Sequence, residues 1–256
     1  MKNRIAILIP LVLAMFLCAN AEVQKPQDAV SQNEKIKALN QMLQQASAAR
    51  QAGDFQKAVS IMQEATQQDP SQDVLWVSLG LSHLGAKQYP EAIEAFKKAV
   101  GLNRESHAYH NLLGTAYLRR RQMDDAVGEF KTAAELNDKN PSDPKHNPNA
   151  AMYWYNAGAA LTIQGKSDEA IAAFDKAIAA DPKKAEAYYQ KGINLIGKAK
   201  VDKDGKMTAP EGTEEAFQKY LELSPNGQFA EPVKEMLAMI GAKIETQYGT
   251  AKKGKK

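Results

Sequence analysis

A 34-residue repeat constrains the fold of this chain more than any other feature of its sequence. The clearest copy covers residues 73–106 and carries large and small apolar residues at fixed positions: Trp76, Leu79, Gly80, Tyr89, Ala92, Phe96 and Ala99. Residues of the same kinds recur 34 positions later, in residues 107–140. Such a repeat indicates a stack of similar units, each of which buries its apolar face against its neighbours.

Five copies of the repeat can be aligned. They cover residues 39–72, 73–106, 107–140, 151–184 and 185–225, and the last of these contains an insertion. Residues 141–149 (PSDPKHNPN) interrupt the phase, and because their three prolines cannot continue a helix we expect an extended surface loop there. The repeat array is therefore expected to consist of two helix pairs, a third pair that ends in this loop, and two further pairs.

Two C-terminal segments depart from the repeat. The insertion lies within residues 198–212, where Asp204-Gly205 between Val201 and Met207 predicts a short β-hairpin or a turn. Residues 226–246 have apolar residues at helical spacing and predict a single capping helix, which ends near Gly241.

The spacing within each copy predicts a pair of packed helices. Positions are counted from 1 in each copy, so that Trp76 and Trp154 stand at position 4. Apolar residues at positions 4, 7, 8 and 11 line one face of a first helix. Position 8 is glycine in four copies, as in Gly114 and Gly158, which lets a second helix approach closely. Asp-Pro at residues 69–70 and 181–182 ends the second helix.

These residues resemble the tetratricopeptide repeat family. Trp76-x-x-Leu79-Gly80, followed by Tyr89, Ala92 and Phe96, matches the family signature, and the resemblance covers about residues 39–225. It implies an all-α fold, a right-handed α-α superhelix of about five helix pairs plus a C-terminal capping helix. The C-terminal part, from the insertion onward, also looks like that of exported bacterial tetratricopeptide proteins, a resemblance that implies no activity.

The first 21 residues have the pattern of a secretory signal peptide. Lys2 and Arg4 form a basic start, residues 5–17 an apolar stretch, and Ala19-Asn20-Ala21 a cleavage site, so Glu22 is the expected mature N-terminus. A retained signal anchor is the alternative interpretation. We expect export to the periplasm or outer envelope, without stable membrane insertion after cleavage. The polar residues 22–38 predict a flexible leader, and residues 247–256 a basic tail.

Charge and cysteine content exclude several classes of function. The chain has 33 Lys and Arg against 30 Asp and Glu, and four of the lysines lie in its last five residues. No basic stripe remains for a nucleic-acid partner. The single cysteine, Cys18, lies in the signal peptide, so the mature chain has neither thiol chemistry nor a cysteine-based zinc site. Because no catalytic or cofactor motif is present, we predict a non-catalytic protein without a cofactor.

The histidines do not suggest a metal site. His83 stands at position 11, a packing position, and His146 lies in the proline-rich loop. His107 and His110 are spaced to share a metal, but neither an HExxH motif nor a cysteine accompanies them. Asp202 and Asp204 begin a series that is too short for a calcium-binding loop, so a turn is the preferred interpretation.

Positions 2, 5, 9 and 12 of each first helix point away from its packing face, and in the family they line the concave surface. Position 2 includes Val74 and Met152. Arg119 begins a cluster of three arginines that suits the C-terminus of a helix, or alternatively contacts a phosphate or carboxylate. The predicted partner groove consists of Val77, Leu81, Asn111, Thr115, Arg119, Tyr155, Asn156, Tyr189, Gln190 and Ile193.

Aromatic rings and amides on such a surface suit an extended peptide or a partner helix, since amides pair with a backbone and aromatics fill side-chain pockets. The family's clamp for C-terminal carboxylates is not carried over, because Leu43 and Ser47 stand at positions 5 and 9 of the first copy. An alternative is that the chain's own leader or tail covers part of the groove.

We therefore predict a protein-binding scaffold of the bacterial envelope that holds a peptide segment or helix of a partner. The alternative is a module for a small ligand or a glycan, with Tyr153, Trp154 and Tyr155 as a stacking platform. The sequence indicates no oligomeric state.

Overall fold

The computed structural model of the protein describes residues 32–139, 147–203 and 207–241. The first helix, α1, occupies residues 32–51. Ten further helices follow: α2 (Phe55–Gln68), α3 (Asp73–Gly85), α4 (Tyr89–Leu102), α5 (His107–Arg119), α6 (Met123–Lys139), α7 (Pro148–Ile163), α8 (Ser167–Ala180), α9 (Ala185–Ile196), α10 (Thr213–Leu223) and α11 (Ala230–Met239). Two short strands, β1 (Lys200–Val201) and β2 (Met207–Thr208), lie between α9 and α10. Among the described residues, no helix is long and apolar enough to cross a membrane.

The helices form two compact units that divide after Ala86. Unit 1 contains α1 to α3, and unit 2 contains α4 to α11. Within unit 2 each helix from α4 onward packs against the next one in the chain, and in unit 1 α2 packs against α3. The predicted all-α class is confirmed. The division falls inside the second copy of the repeat, between its two helices.

The core of unit 2 is built on one phenylalanine from each second helix. Phe96, Phe130, Phe174 and Phe217 are all fully buried. Glycines of the first helices make room for these rings: a Cβ on Gly114 would lie 2.9 Å from the ring of Phe130, and one on Gly158 would lie 2.7 Å from that of Phe174. The prediction that position 8 permits a close approach of the two helices is confirmed.

Two predicted boundaries are wrong. Residues 32–38, assigned to a flexible leader, are helical, and because all seven are exposed their sequence carries no apolar period that would reveal the helix. Lys35 pairs with Asp69 at 3.6 Å, which connects this first part of α1 to the end of α2. The loop predicted for residues 141–149 also extends too far, since α7 begins at Pro148, where a proline fits the first turn.

The C-terminal segments agree with their sequence patterns. Val201 pairs with Met207 in an antiparallel hairpin, as predicted. After α11, Gly241 adopts a left-handed φ of +73°, a backbone conformation typical of the residue that follows a helix. The predictions for the signal peptide, most of the leader, His146, Asp204-Gly205 and the basic tail fall outside the described residues.

The turn between the two helices of a copy requires a left-handed residue at position 15. Gly53 and Gly165 fill this position with φ values of +79° and +75°. Lys87 and Arg121 fill it in the two copies between them, with φ values of 60° and 64°. A left-handed conformation costs a residue with a side chain about 1–2 kcal/mol, so two of these four turns carry strain.

Candidate partner-binding face

The first helices α5, α7 and α9 of unit 2 expose one side, which we call the first-helix face. It is formed by Asn111 and Thr115 of α5, Met152, Tyr155 and Asn156 of α7, and Tyr189, Gln190 and Ile193 of α9. Of these residues Met152 is exposed, and the others are partly buried. Arg119 is exposed at the C-terminal end of α5. Val77 and Leu81 are partly buried in α3, which belongs to unit 1.

Polar side chains join neighbouring helices along this face. The Asn156 amide donates a hydrogen bond to Oδ1 of Asn111 at 3.2 Å, which connects position 6 of α7 to position 5 of α5. One repeat later, Gln190 at position 6 of α9 forms a hydrogen bond with Tyr155 at position 5 of α7. The structure thus brings together four of the predicted groove residues, in two pairs that occupy equivalent positions.

A second polar contact joins α7 to α9. The Asn194 amide donates hydrogen bonds of 2.9 Å to Oγ1 of Thr162 and to the carbonyl of Gln190. The same positions are used in unit 1, where the Arg50 guanidinium donates to Oγ of Ser82 at 3.2 Å. This connection between positions 12 and 10 of successive copies was not predicted, although polar residues at both positions are visible in the sequence.

Tyr155 is the aromatic centre of the first-helix face. Its ring contacts that of Phe174, with the two centroids 5.7 Å apart, and the Lys184 ammonium lies 5.1 Å from its centroid. Burial raises the pKa of its phenol, and the Gln190 hydrogen bond only partly offsets this rise. The hydroxyl is therefore neutral at physiological pH and available as a donor. Lys184, at the last position of its copy, was not among the predicted residues.

Tyr189 occupies the same position as Tyr155 but has a different environment. Its ring stacks on Phe229 at a centroid distance of 4.0 Å and an interplanar angle of 3°. Ile193 packs against the same cluster, which includes Val233 and Leu237 of α11. Phe229, just before the capping helix, therefore covers one side of Tyr189.

The stacking platform proposed for a glycan does not form. Tyr153 and Trp154 are only 3% and 5% exposed, so Tyr155 alone of the three rings reaches the surface. The Lys176 ammonium lies 4.0 Å from the centroid of the Trp154 ring. A cavity of about 420 Å³ opens beside it, lined by Glu135, Asp138, Trp154, Lys176, Ala179 and Ala180. Because the indole is almost fully buried and a lysine lies over its ring, it is not accessible for stacking on a sugar.

The two histidines of α5 contact different partners. Nδ1 of His107 lies 2.9 Å from the hydroxyl of Tyr153, whereas Nδ1 of His110 lies 2.6 Å from Oε2 of Glu129. His83 is buried in α3 of unit 1, in agreement with its assignment as a packing residue. In the part of the chain that the structure describes, no group of three or more His, Cys, Asp or Glu residues could hold a metal ion.

The sequence profile of the tetratricopeptide repeat family matches this chain three times, at residues 43–106, 77–144 and 111–185. Together these matches span more than half of the 256 residues. They overlap one another, and they end at the start of the fifth copy. No curated protein matches the chain in sequence.

Several solved structures share the fold at low sequence identity. YrrB, described as a tetratricopeptide protein with an unusual peptide-binding site, is 22% identical, with a TM-score of 0.58 over 82% of this chain and 97% of its own. MamA residues 41 to the end from Desulfovibrio magneticus is 17% identical, with a TM-score of 0.58 over 75% of this chain and 97% of its own. A chain of the structure described as the APC/C hetero-tetramer Cut9–Hcn1 is 21% identical, with a TM-score of 0.54 over 74% of this chain and 34% of its own. The chain belongs to the tetratricopeptide repeat family, whose modules mediate protein–protein interaction.

Proposed function

We propose that the chain is an exported bacterial scaffold whose first-helix face binds an extended segment or a helix of a partner protein in the cell envelope. The observation that carries this proposal is the pair of equivalent contacts, Asn111 with Asn156 and Tyr155 with Gln190, on a partly buried face. Side-chain amides at regular intervals can give up their hydrogen bonds to neighbouring side chains and bond instead to the backbone of a bound peptide. This exchange is possible because side-chain amides and backbone amides both donate and accept hydrogen bonds.

Exposed apolar side chains on α7 support the same function. Met152 is 36% exposed on α7, and Ile163 is 64% exposed at the end of the same helix. Apolar and aromatic residues at the centre of a patch, with polar groups around them, are typical of protein interfaces. The description of YrrB as a peptide-binding protein and the assembly of Cut9 with Hcn1 are consistent with this use of the fold.

Site-specific crosslinking tests the proposed face. A photoreactive amino acid is placed at Met152, and in a control at Ala172, which is exposed on the second helix α8. We expect Met152 to capture one defined partner in intact cells, with the crosslink confined to a short segment of that partner, and Ala172 not to capture it. Capture of the same proteins from both positions would contradict the assignment of the face.

The location in the envelope requires a separate test. Cell fractionation should place the protein outside the inner membrane, and N-terminal sequencing of the mature chain should begin at Glu22. A chain that retains Lys2 and Arg4 would instead support the signal anchor, without affecting the assignment of the first-helix face.

A further inference from the structure

His110 stands where the fourth copy has Trp154, and it is held from two sides. Nδ1 contacts Oε2 of Glu129 on α6 at 2.6 Å, and Nε2 contacts the carbonyl oxygen of Arg104, in the turn between α4 and α5, at 3.0 Å. The His110 side chain is 11% exposed and that of Glu129 is 26% exposed. The contact thus ties the first turns of α5 to two neighbouring segments of unit 2 under partial shielding from water.

The chemistry of the two partners sets the protonation state of the ring. A carboxylate and a backbone carbonyl are both acceptors, so each ring nitrogen must carry a proton to bond with its partner. Neutral imidazole has only one such proton, and only the imidazolium can satisfy both contacts. The neighbouring His107 is different, because the Tyr153 hydroxyl can donate as well as accept and makes no such demand.

The surroundings of His110 also favour its protonated form. The Glu129 hydrogen bond raises the pKa of His110, burial opposes this rise, and the Arg104 carbonyl adds to it, with a net increase. Glu129 is the charged group of α6 that contacts the ring, and Arg104 contacts it through its backbone carbonyl. Lys97 of α4 and Asp125 of α6 act instead on Tyr117, at the other end of α5.

We propose that His110 is a pH-responsive latch on the third repeat, in which the imidazolium bridges α6 and the α4–α5 turn and loss of a ring proton releases the first turns of α5. A group whose pKa is raised in the folded protein stabilises it fully below the ordinary value of about 6.5 and loses this effect as the pH rises through the raised value. The latch is therefore closed in acid and opens in alkali.

The latch adjoins the first-helix face, because Asn111 is the next residue and bonds with Asn156. An open latch would remove the contact between α5 and α6 at the residue before Asn111, which loosens one side of that face. This consequence for partner binding rests on the proposed function. The latch itself does not, and the tests below need no partner.

Titration of the histidine ring signals by NMR tests the protonation state directly, in the wild-type chain. The His110 signal is identified by its loss in His110→Asn. We expect its midpoint to lie above about 6.5, and at pH 6 both ring nitrogens to carry protons. A midpoint at or below the ordinary value, or a single neutral tautomer at pH 6, would overturn the proposal.

Glu129→Gln removes the charge and keeps the shape of the partner. We expect this variant to lower the His110 midpoint and to speed amide hydrogen exchange in residues 107–112 at pH 6, whereas at pH 9 its exchange equals that of the wild type. Tyr153→Phe is the matched control, since it removes the hydroxyl bonded to His107 and should leave the His110 midpoint unchanged. Equal exchange in wild type and Glu129→Gln at pH 6 would show that Glu129 does not hold the latch.

Discussion

The third and fourth repeats of this protein have the same architecture but use different chemistry to stabilise it. In the fourth repeat, position 4 is the buried Trp154 and the left-handed turn is Gly165. In the third, position 4 is His110, bonded to Glu129, and the turn is Arg121. Both repeats keep a buried phenylalanine beneath a glycine.

This comparison shows which contacts the two repeats share and which residues differ between them. The contact between glycine and phenylalanine is present in both repeats, so it belongs to the fold. The residue at position 4 differs between the repeats, and each residue has an environment that suits it. The Trp154 indole is packed in the core, and the His110 imidazolium has two hydrogen-bond acceptors. Under the proposed latch, the third repeat loses a stabilising contact as the pH rises, and it contributes the Asn111 side of the proposed binding face.

The largest expected difference between the two repeats lies at position 4. Trp154→Ala removes a buried indole and should cost about 3–5 kcal/mol of unfolding free energy. His110→Ala should cost about 1–2 kcal/mol at pH 6, since it removes hydrogen bonds of a charged group, and less at pH 9. Urea unfolding at both pH values measures the costs. If the cost of Trp154→Ala changed with pH as much as that of His110→Ala, the proposed difference between the two repeats would be contradicted.

Position 8 should give a smaller effect that is the same in both repeats. Gly114→Ala and Gly158→Ala each place a Cβ within 3 Å of a fully buried phenylalanine ring, at 2.9 Å and 2.7 Å. We expect each to cost about 1–3 kcal/mol, although alanine has the higher helix propensity. Thermal unfolding of the two variants checks this. A stabilising effect in either repeat would mean that its ring can shift, contrary to the account of a shared core contact.

The turn residues should show the smallest effects, with opposite signs. Gly165→Ala puts a side chain on a left-handed residue and should destabilise the protein by about 1 kcal/mol. Arg121→Gly removes such strain and should stabilise it by up to about 1 kcal/mol, reduced by the greater flexibility of glycine in the unfolded chain. Urea unfolding again provides the measurement. Effects of the same sign would show that the two turns differ in more than this residue.

The repeat spacing was enough to predict the helix pairs, the glycine contact and the hairpin, because each depends on residues that recur or on a local turn. The exposed start of α1 carries no apolar period, so its helix could not be predicted. The cover over Tyr189 was also missed, because Phe229 lies outside the repeat and nothing in its spacing relates it to α9.

The contact between His110 and Glu129 could have been predicted by comparing the copies of the repeat. Position 23 is alanine in Ala95 and Ala173, whose copies have tryptophan at position 4, and it is Glu129 in the copy that has His110. A paired change at two positions of one repeat indicates a contact between them. The distance and the second acceptor, Arg104, could come only from the structure.

The binding face is tested most directly by the affinity of the captured partner segment for two charge variants. Met152→Glu places a carboxylate on the exposed part of the first-helix face, and Ala172→Glu places one on an exposed position of α8. Since both side chains are exposed, neither variant should alter folding. We expect Met152→Glu to weaken binding at least about tenfold, or 1.4 kcal/mol, and Ala172→Glu to leave it unchanged. Unchanged affinity in Met152→Glu would contradict the assignment of this face as the site of partner binding.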